Sequence, residues 1–312
     1  MPASSVRPSA ATPRRTELLA VLALVAITAI WGSTFVVVKD AIARMPVMDF
    51  LAWRFGLAAL VMIALRPRSI SRLSAAGRRA GLLLGLALGI GYAAQTLGLR
   101  TTPASISGFI TGMFVVFTPL FAGVLLRRRV GRAAWLAVAL ATLGLGLISL
   151  RGFFVGGELL TLACAALFAL HIVGLGEWSA GSDAYGLAVL QLLVVAGLCA
   201  LTAIPAGGLR PPPDAGAWGA IGLTAIFATA FASVGQTWAQ AHLAPARTAV
   251  ILTLEPVFAG VFGVWVDGDR LGARAIGGAA LVLLAMLVTE LHPRARAGAR
   301  AVERLEVERR TS

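Results

Sequence analysis

Thr118-Pro-Leu-Phe-Ala-Gly-Val124 and Glu255-Pro-Val-Phe-Ala-Gly-Val261 agree at five of seven positions and lie 137 residues apart in a chain of 312. One apolar heptamer match carries little weight alone, but the same offset holds elsewhere. It lays Trp31-Gly-Ser-Thr-Phe35 on Phe168-Ala-Leu-His-Ile172, and Phe50-Leu-Ala-Trp-Arg54 on Leu187-Ala-Val-Leu-Gln191. An offset of 141 then pairs Gln95-Thr96 with Gln236-Thr237 and Gly131 with Gly272, the drift reflecting insertions in connecting loops such as Gly207-Gly-Leu-Arg-Pro-Pro-Pro-Asp214. A period of this length is one domain-sized unit used twice.

Each copy is written in apolar residues. The chain is 58% hydrophobic and 13% charged, with a mean hydropathy of +0.86, which no ordinary soluble domain shows. Its apolar runs are close to the roughly 20 residues that cross a hydrocarbon core. They lack the alternation of barrel strands, so helices must satisfy the backbone in lipid. The spacing predicts ten transmembrane helices at about 17–38, 47–65, 80–99, 104–126, 133–150, 158–177, 184–204, 215–239, 246–266 and 273–290. The fold class is therefore an all-α polytopic membrane bundle of two five-helix repeats, 17–150 and 157–291. They are flanked by a disordered cytoplasmic tail at 1–16 and a charged cytoplasmic tail at 292–312.

The net charge of +13 does not indicate nucleic acid, because the basic residues fall between and beyond the apolar runs. With both termini in the cytoplasm, 19 of the 27 Lys and Arg lie inside and seven outside (Lys39, Arg44, Arg100, Arg151, Arg210, Arg270, Arg274), Arg54 being within a span. That excess is the positive-inside signature of a multi-pass protein of a bacterial inner membrane. An odd number of helices per copy then forces the second copy to insert upside down. The loop after the repeated heptamer agrees: it is Arg127-Arg-Arg129 in the first copy and Val266-Asp-Gly-Asp269 in the second. Cys164 and Cys199 lie within predicted helices, without metal or disulfide spacing, and read as small apolar side chains.

Inverted repeats are a construction of secondary transporters, with a site between the halves. Pro119 and Pro256 each remove a backbone hydrogen bond at equivalent points and are candidate hinges, or shape packing only. Glu255, placed near the middle of helix nine, is the candidate coupling residue, open to proton uptake or cation coordination; the alternative is a neutral interhelical hydrogen bond. Thr118 occupies its place in the first copy. His171 matches Thr34, and Gln95 matches Gln236, with Gln240 one turn further along the same face. Together with Trp31, these are the candidate substrate-binding residues: Trp31, Thr34, Gln95, His171, Gln236 and Gln240. Each also has a plain structural reading, as interhelical glue or, for Trp31, as an interfacial anchor. Arg54 reads as structural, snorkelling or paired with Asp49 or Glu255.

These residues resemble the drug/metabolite transporter superfamily, and within it the EamA-type permeases. The resemblance rests on Trp31-Gly-Ser-Thr-Phe35, Arg54, Gln95-Thr-Leu-Gly-Leu99, the Pro119 and Pro256 stretches, and the paired halves, over about 18–291. It implies a central cavity lined by helices one, three, four, six, eight and nine that moves small metabolites, often exporting amino acids or drugs. Many members carry a Glu directly after helix nine, where this chain has Asp267 and Asp269, and no role is carried over to them.

The expected activity is secondary transport of small organic metabolites, amino-acid-like or drug-like, by alternating access. Export is the expected direction and protons are the candidate coupling ion. The partners are a small-molecule substrate and the lipid bilayer, without nucleic acid. No cofactor is expected: Lys39 is the only lysine and no phosphate-binding Gly-rich loop surrounds it. The alternatives are an intramembrane lipid-modifying enzyme, against which stand three scattered histidines (His171, His242, His292), and a non-transporting membrane scaffold.

Overall fold

The computed structural model describes residues 14–127, 131–149, 156–178, 182–242 and 251–288. Residues 1–13 of the first tail, residues 289–291 at the end of the second repeat, the whole tail at 292–312, Arg128 and Arg129, the link at 151–155 and Arg247 lie outside the described residues. Among those described, every element is helical. Seven helices are long and apolar enough to cross a membrane, and three shorter apolar ones complete the set.

The first repeat comprises α1 (Arg14–Arg44), α2 (Val47–Leu65), α3 (Ala75–Leu99), α4 (Ala104–Thr111), α5 (Phe114–Leu125) and α6 (Arg132–Ser149). The second comprises α7 (Gly157–Trp178), α8 (Ala184–Ala203), α9 (Ala215–Ala225), α10 (Ala232–His242), α11 (Leu254–Trp265) and α12 (Ala273–Val288). Helix α1 outruns its apolar core at both ends, because nothing stops it before Pro46 and Asp40 pairs with Arg44 one turn on. Helix α3 starts at Ala75, where the Ser74 hydroxyl accepts the Gly77 amide at 3.1 Å. Asp183 and Asp214 cap α8 and α9 in the same way.

Among the described residues, three spans depart from simple helices. The fourth is broken at Gly112-Met113 into α4 and α5, seven residues before Pro119, which lies inside α5. In the eighth, residues Ile226–Phe231 between α9 and α10 form a π-helical turn. In the ninth, a turn at Thr253 precedes α11, so Glu255 and Pro256 stand in a first helical turn and not mid-helix. A proline there forfeits no intrahelical bond, since first-turn amides have no partner within the helix.

The halves interlock. Helix α3 packs on α7 and α8, and its counterpart α9–α10 packs on α1 and α2; α1 packs on α11, and its counterpart α7 packs on α4 and α5. Exchanging the repeats maps this network onto itself. Directions follow from close contacts. A Cβ added at Gly81, Gly85 or Gly89 of α3 would meet Leu190, Val194 or Leu198 of α8 in ascending order, so these helices run parallel. Gly91 and Gly98 instead approach Phe168 and Gly157, so α3 opposes α7. Gly32 approaches Phe258 and Lys39 pairs with Asp267, making α1 parallel to α11. Gly108 approaches Ala259 and Gly263 approaches Ser105, setting α4 against α11. The short α3–α4 link makes those two antiparallel, so α7 runs with α4, and the equivalent helices α1 and α7 point in opposite directions. The repeats are inverted.

Small residues permit these approaches in a solvent that offers no hydrophobic drive between helices. The innermost packing centres on Phe50, Phe55, Leu51 and Met62 of α2, all 1% exposed or less. Exposed Leu82, Leu83, Leu86 and Ile90 cover the outer side of α3, as a lipid-facing surface requires.

Candidate functional site

Where the halves meet, two chambers open side by side. One, of about 260 Å³, is walled by Trp31, Thr34 and Phe35 of α1 and by Phe168, His171 and Ile172 of α7, the same three positions of each repeat. Arg54, Leu88, Tyr92, Gln95, Thr111, Phe114 and Glu255 complete it. The second, of about 420 Å³, shares Trp31, Leu88, Tyr92 and His171 and extends to Gln191, Thr229, Ser233 and Gln236. At the offset of 141, Thr229, Ser233 and Gln236 are the counterparts of Leu88, Tyr92 and Gln95, so the third span of one repeat and the eighth span of the other supply equivalent residues to the chambers.

Hydrogen bonds fix the walls. The Trp31 indole donates to the Ala228 carbonyl at 2.8 Å, tying α1 to the π-helical turn, where the irregular ladder frees carbonyls. Gln95 donates to the Thr111 hydroxyl at 3.1 Å, joining α3 to α4. His171 Nε2 meets the Gln191 side-chain oxygen at 2.6 Å, and Gln191 donates to the Leu187 carbonyl at 3.2 Å. The Thr34 hydroxyl donates to the Trp31 carbonyl at 2.6 Å, within its own helix.

Two charged side chains line the smaller chamber, one from each repeat. Arg54 is 5% exposed, and among the described residues its Nε has no hydrogen-bond partner. Its guanidinium lies 5.1 Å from the Phe55 ring centre and 5.4 Å from that of Tyr92, where the π-faces offset part of the cost of burial. Among the described residues it makes no ion pair. The pairing expected from the sequence is absent because Asp49 is engaged by the Arg210 amide at 3.3 Å, and Glu255 makes no bond with Arg54. Nor does Arg54 snorkel, being buried where α2 faces the chamber.

The sequence candidates thus divide clearly. Trp31, Thr34, Gln95, His171 and Glu255 reach the smaller chamber, and Gln236 the larger one. Gln240 belongs to α10, but its side chain is outside the described residues. Pro119 and Pro256 line neither chamber; Pro256 packs where a Cβ at Gly112 would meet it, at the break in span four. Sequence reasoning passed over Arg54 as a wall residue, and also Tyr92, Phe168 and Gln191. The signal for Tyr92 was available, since it is one of only two tyrosines and stands in the Gly-studded third span.

At the end of the bundle opposite the Arg-rich loops, polar links bind first repeat to second. Lys39 pairs with Asp267 at 2.5 Å and Arg44 with Asp214 at 2.6 Å. Asp269 accepts from the Ser105 amide at 2.9 Å and hydroxyl at 2.6 Å, capping α4, whose own N-cap is Pro103. The indole of Trp53 donates to the Arg210 carbonyl at 2.9 Å. At the other end Arg66 pairs with Asp183 at 3.1 Å.

Comparison with known proteins gives a consistent assignment. Residues 18–150 and 155–291 each match the EamA-like transporter family. An uncharacterized transporter of Archaeoglobus fulgidus is 32% identical over 275 residues, covering 88% of this chain and 87% of that protein. A protein of known crystal structure shares the fold with a TM-score of 0.59 at 19% identity, over 91% of this chain and 99% of its own.

Proposed function

The chain belongs to the EamA-like transporter family, and from that premise we propose that it is a secondary transporter exporting small organic metabolites, amino-acid-like or drug-like, across the cytoplasmic membrane of a bacterium. The observation that carries this reading is the cavity walled by equivalent residues of two inverted halves, Trp31, Thr34 and Phe35 with Phe168, His171 and Ile172. Rocking such halves about their shared interface exchanges the packing of one side for that of the other and moves the opening across the bilayer. The links from Lys39 to Asp267 and from Arg44 to Asp214 are contacts that must part when the end they join opens.

Glu255 is the coupling residue in this scheme. It is half-buried, lines the smaller chamber and sits at the start of α11, where a turn at Thr253 separates it from the preceding helical residues. A carboxyl that takes up a proton on one side and releases it on the other ties solute movement to the proton gradient. Glu255→Gln keeps the shape and removes the titration. In reconstituted vesicles it should abolish acceleration of transport by an imposed pH gradient while leaving exchange of solute without a gradient. Gradient-driven transport at the wild-type rate would remove Glu255 from this role.

A further inference from the structure

We propose that Arg54 is the anchor for a carboxylate on the transported solute, which makes the solute an organic acid with an apolar or aromatic body. This deepens the transporter reading above and rests on it. The guanidinium is buried, one of its nitrogens is unpartnered, and no described acidic residue pairs with it, although the side chain forms part of the chamber wall. A fixed cation held by aromatic faces at 5.1 and 5.4 Å is restrained in position without being neutralised.

The other repeat shows what a fully partnered residue looks like at this position. Gln191 is the counterpart of Arg54, and its amide is satisfied within the protein by His171 and by the Leu187 carbonyl. The counterpart of His171 is Thr34, whose hydroxyl is spent on the Trp31 carbonyl. The first repeat therefore keeps the polar group and omits its partner. A planar fork of N–H donors facing a small cavity suits a carboxylate, which accepts two parallel charge-assisted hydrogen bonds. The remaining walls, including Phe35, Phe114 and Phe168, suit an apolar body. A volume of about 260 Å³ holds a solute smaller than those filling the roughly 300–1,000 Å³ of drug-sized sites.

The test uses three probes of one skeleton: L-phenylalanine, 3-phenylpropionate, which lacks the amine, and phenethylamine, which lacks the carboxylate. Binding to the purified full-length protein is read by thermal shift and calorimetry, for wild type, Arg54→Gln, which copies the second repeat, and Arg54→Lys. The wild type should bind both acids, and Arg54→Gln should weaken them about tenfold or more without weakening phenethylamine, whose ammonium gains nothing from a cation in the wall. Arg54→Lys, with charge but no fork, should fall between. Because Arg54→Gln could fold poorly, the ratio of acid to amine affinity within each protein is the quantity compared. The proposal is overturned if wild type binds neither acid, or if Arg54→Gln leaves that ratio unchanged. Vesicles that transport phenethylamine but neither acid would overturn the anchor and leave the transporter reading standing. Acid binding that depends on Arg54 in a protein that moves nothing across vesicles would do the reverse.

Discussion

Gly32→Ala tests whether α1 and α11 are held together by direct backbone approach. A Cβ built at Gly32 would lie 2.5 Å from the Phe258 Cβ, 2.7 Å from the Ala259 amide nitrogen and 2.9 Å from the Glu255 carbonyl oxygen, where ordinary contact begins at 3.4 Å. Two of the three atoms belong to the backbone and cannot rotate away, so the helices must part by several tenths of an ångström. Overpacking of this kind costs about 1–3 kcal/mol, and the upper half of that range applies where no side chain can yield. The helical preference of Ala over Gly returns roughly 0.8–1 kcal/mol. The net loss is about 1–2 kcal/mol, which at roughly 2–4 °C per kcal/mol for a large domain lowers the melting temperature by several degrees. Gly219→Ala is the control, because nothing lies within 4 Å of its added Cβ, and it should melt at or above wild type. Thermal unfolding of the detergent-solubilised protein measures both. Since the parting helix carries Glu255, pH-driven transport in vesicles should fall in Gly32→Ala and hold in Gly219→Ala. If the two variants melt alike, the close approach of α1 to α11 is not what joins the repeats there.

Gln95→Ala removes one interhelical bond, to Thr111, worth on average about 0.6 kcal/mol within a membrane, so its melting temperature should drop by only a degree or two while solute affinity falls more. Gln236→Ala, in the larger chamber, should behave likewise, and equal losses of stability and transport in either variant would mark that amide as helix glue. The Asp214 carboxylate is held below its usual range first by the Ala217 amide and then by Arg44, so its stabilising effect is complete above the ordinary Asp value of about 3.9 and is lost as pH falls through its lowered value. Asp214→Asn should therefore melt below wild type at pH 5–7, with the difference closing in stronger acid, and a gap that stays constant to pH 2.5 would refute this assignment.

Repeats, helical class and inversion were legible because each has a local signature: the two heptamers, run length in hydrocarbon, and the exchange of Arg127-Arg-Arg129 for Val266-Asp-Gly-Asp269. Breaks within spans were not. Ile226–Phe231 is apolar but for Thr229 and carries no Gly or Pro to mark a break, and the Trp31 indole that meets the π-helical turn there comes from a helix nearly 200 residues away in sequence. Pro256 reads as a kink within an apolar run, although proline's tolerance of a first turn was the clue to the turn at Thr253. For Arg54 the sequence offers two acids at plausible depth. That Asp49 is already engaged by the backbone of Arg210 is a tertiary fact, set by a loop 161 residues further along the chain.

The asymmetry of the two halves then acquires a physical meaning. In the alternating access proposed above, rocking requires that the two sides pack equivalently, and the wall positions of α1 and α7 meet that demand. Recognition makes the opposite demand, because a solute with distinguishable ends must find unlike groups. Each charge within a span costs roughly 2.5–3.5 kcal/mol on insertion scales. Repeating Arg54 at Gln191, or Glu255 at Thr118, would double that cost and set like charges about a common axis. One cation from the first repeat and one acid from the second, each opposite a neutral counterpart, keep the frame symmetric for movement and the contents polar in one sense only.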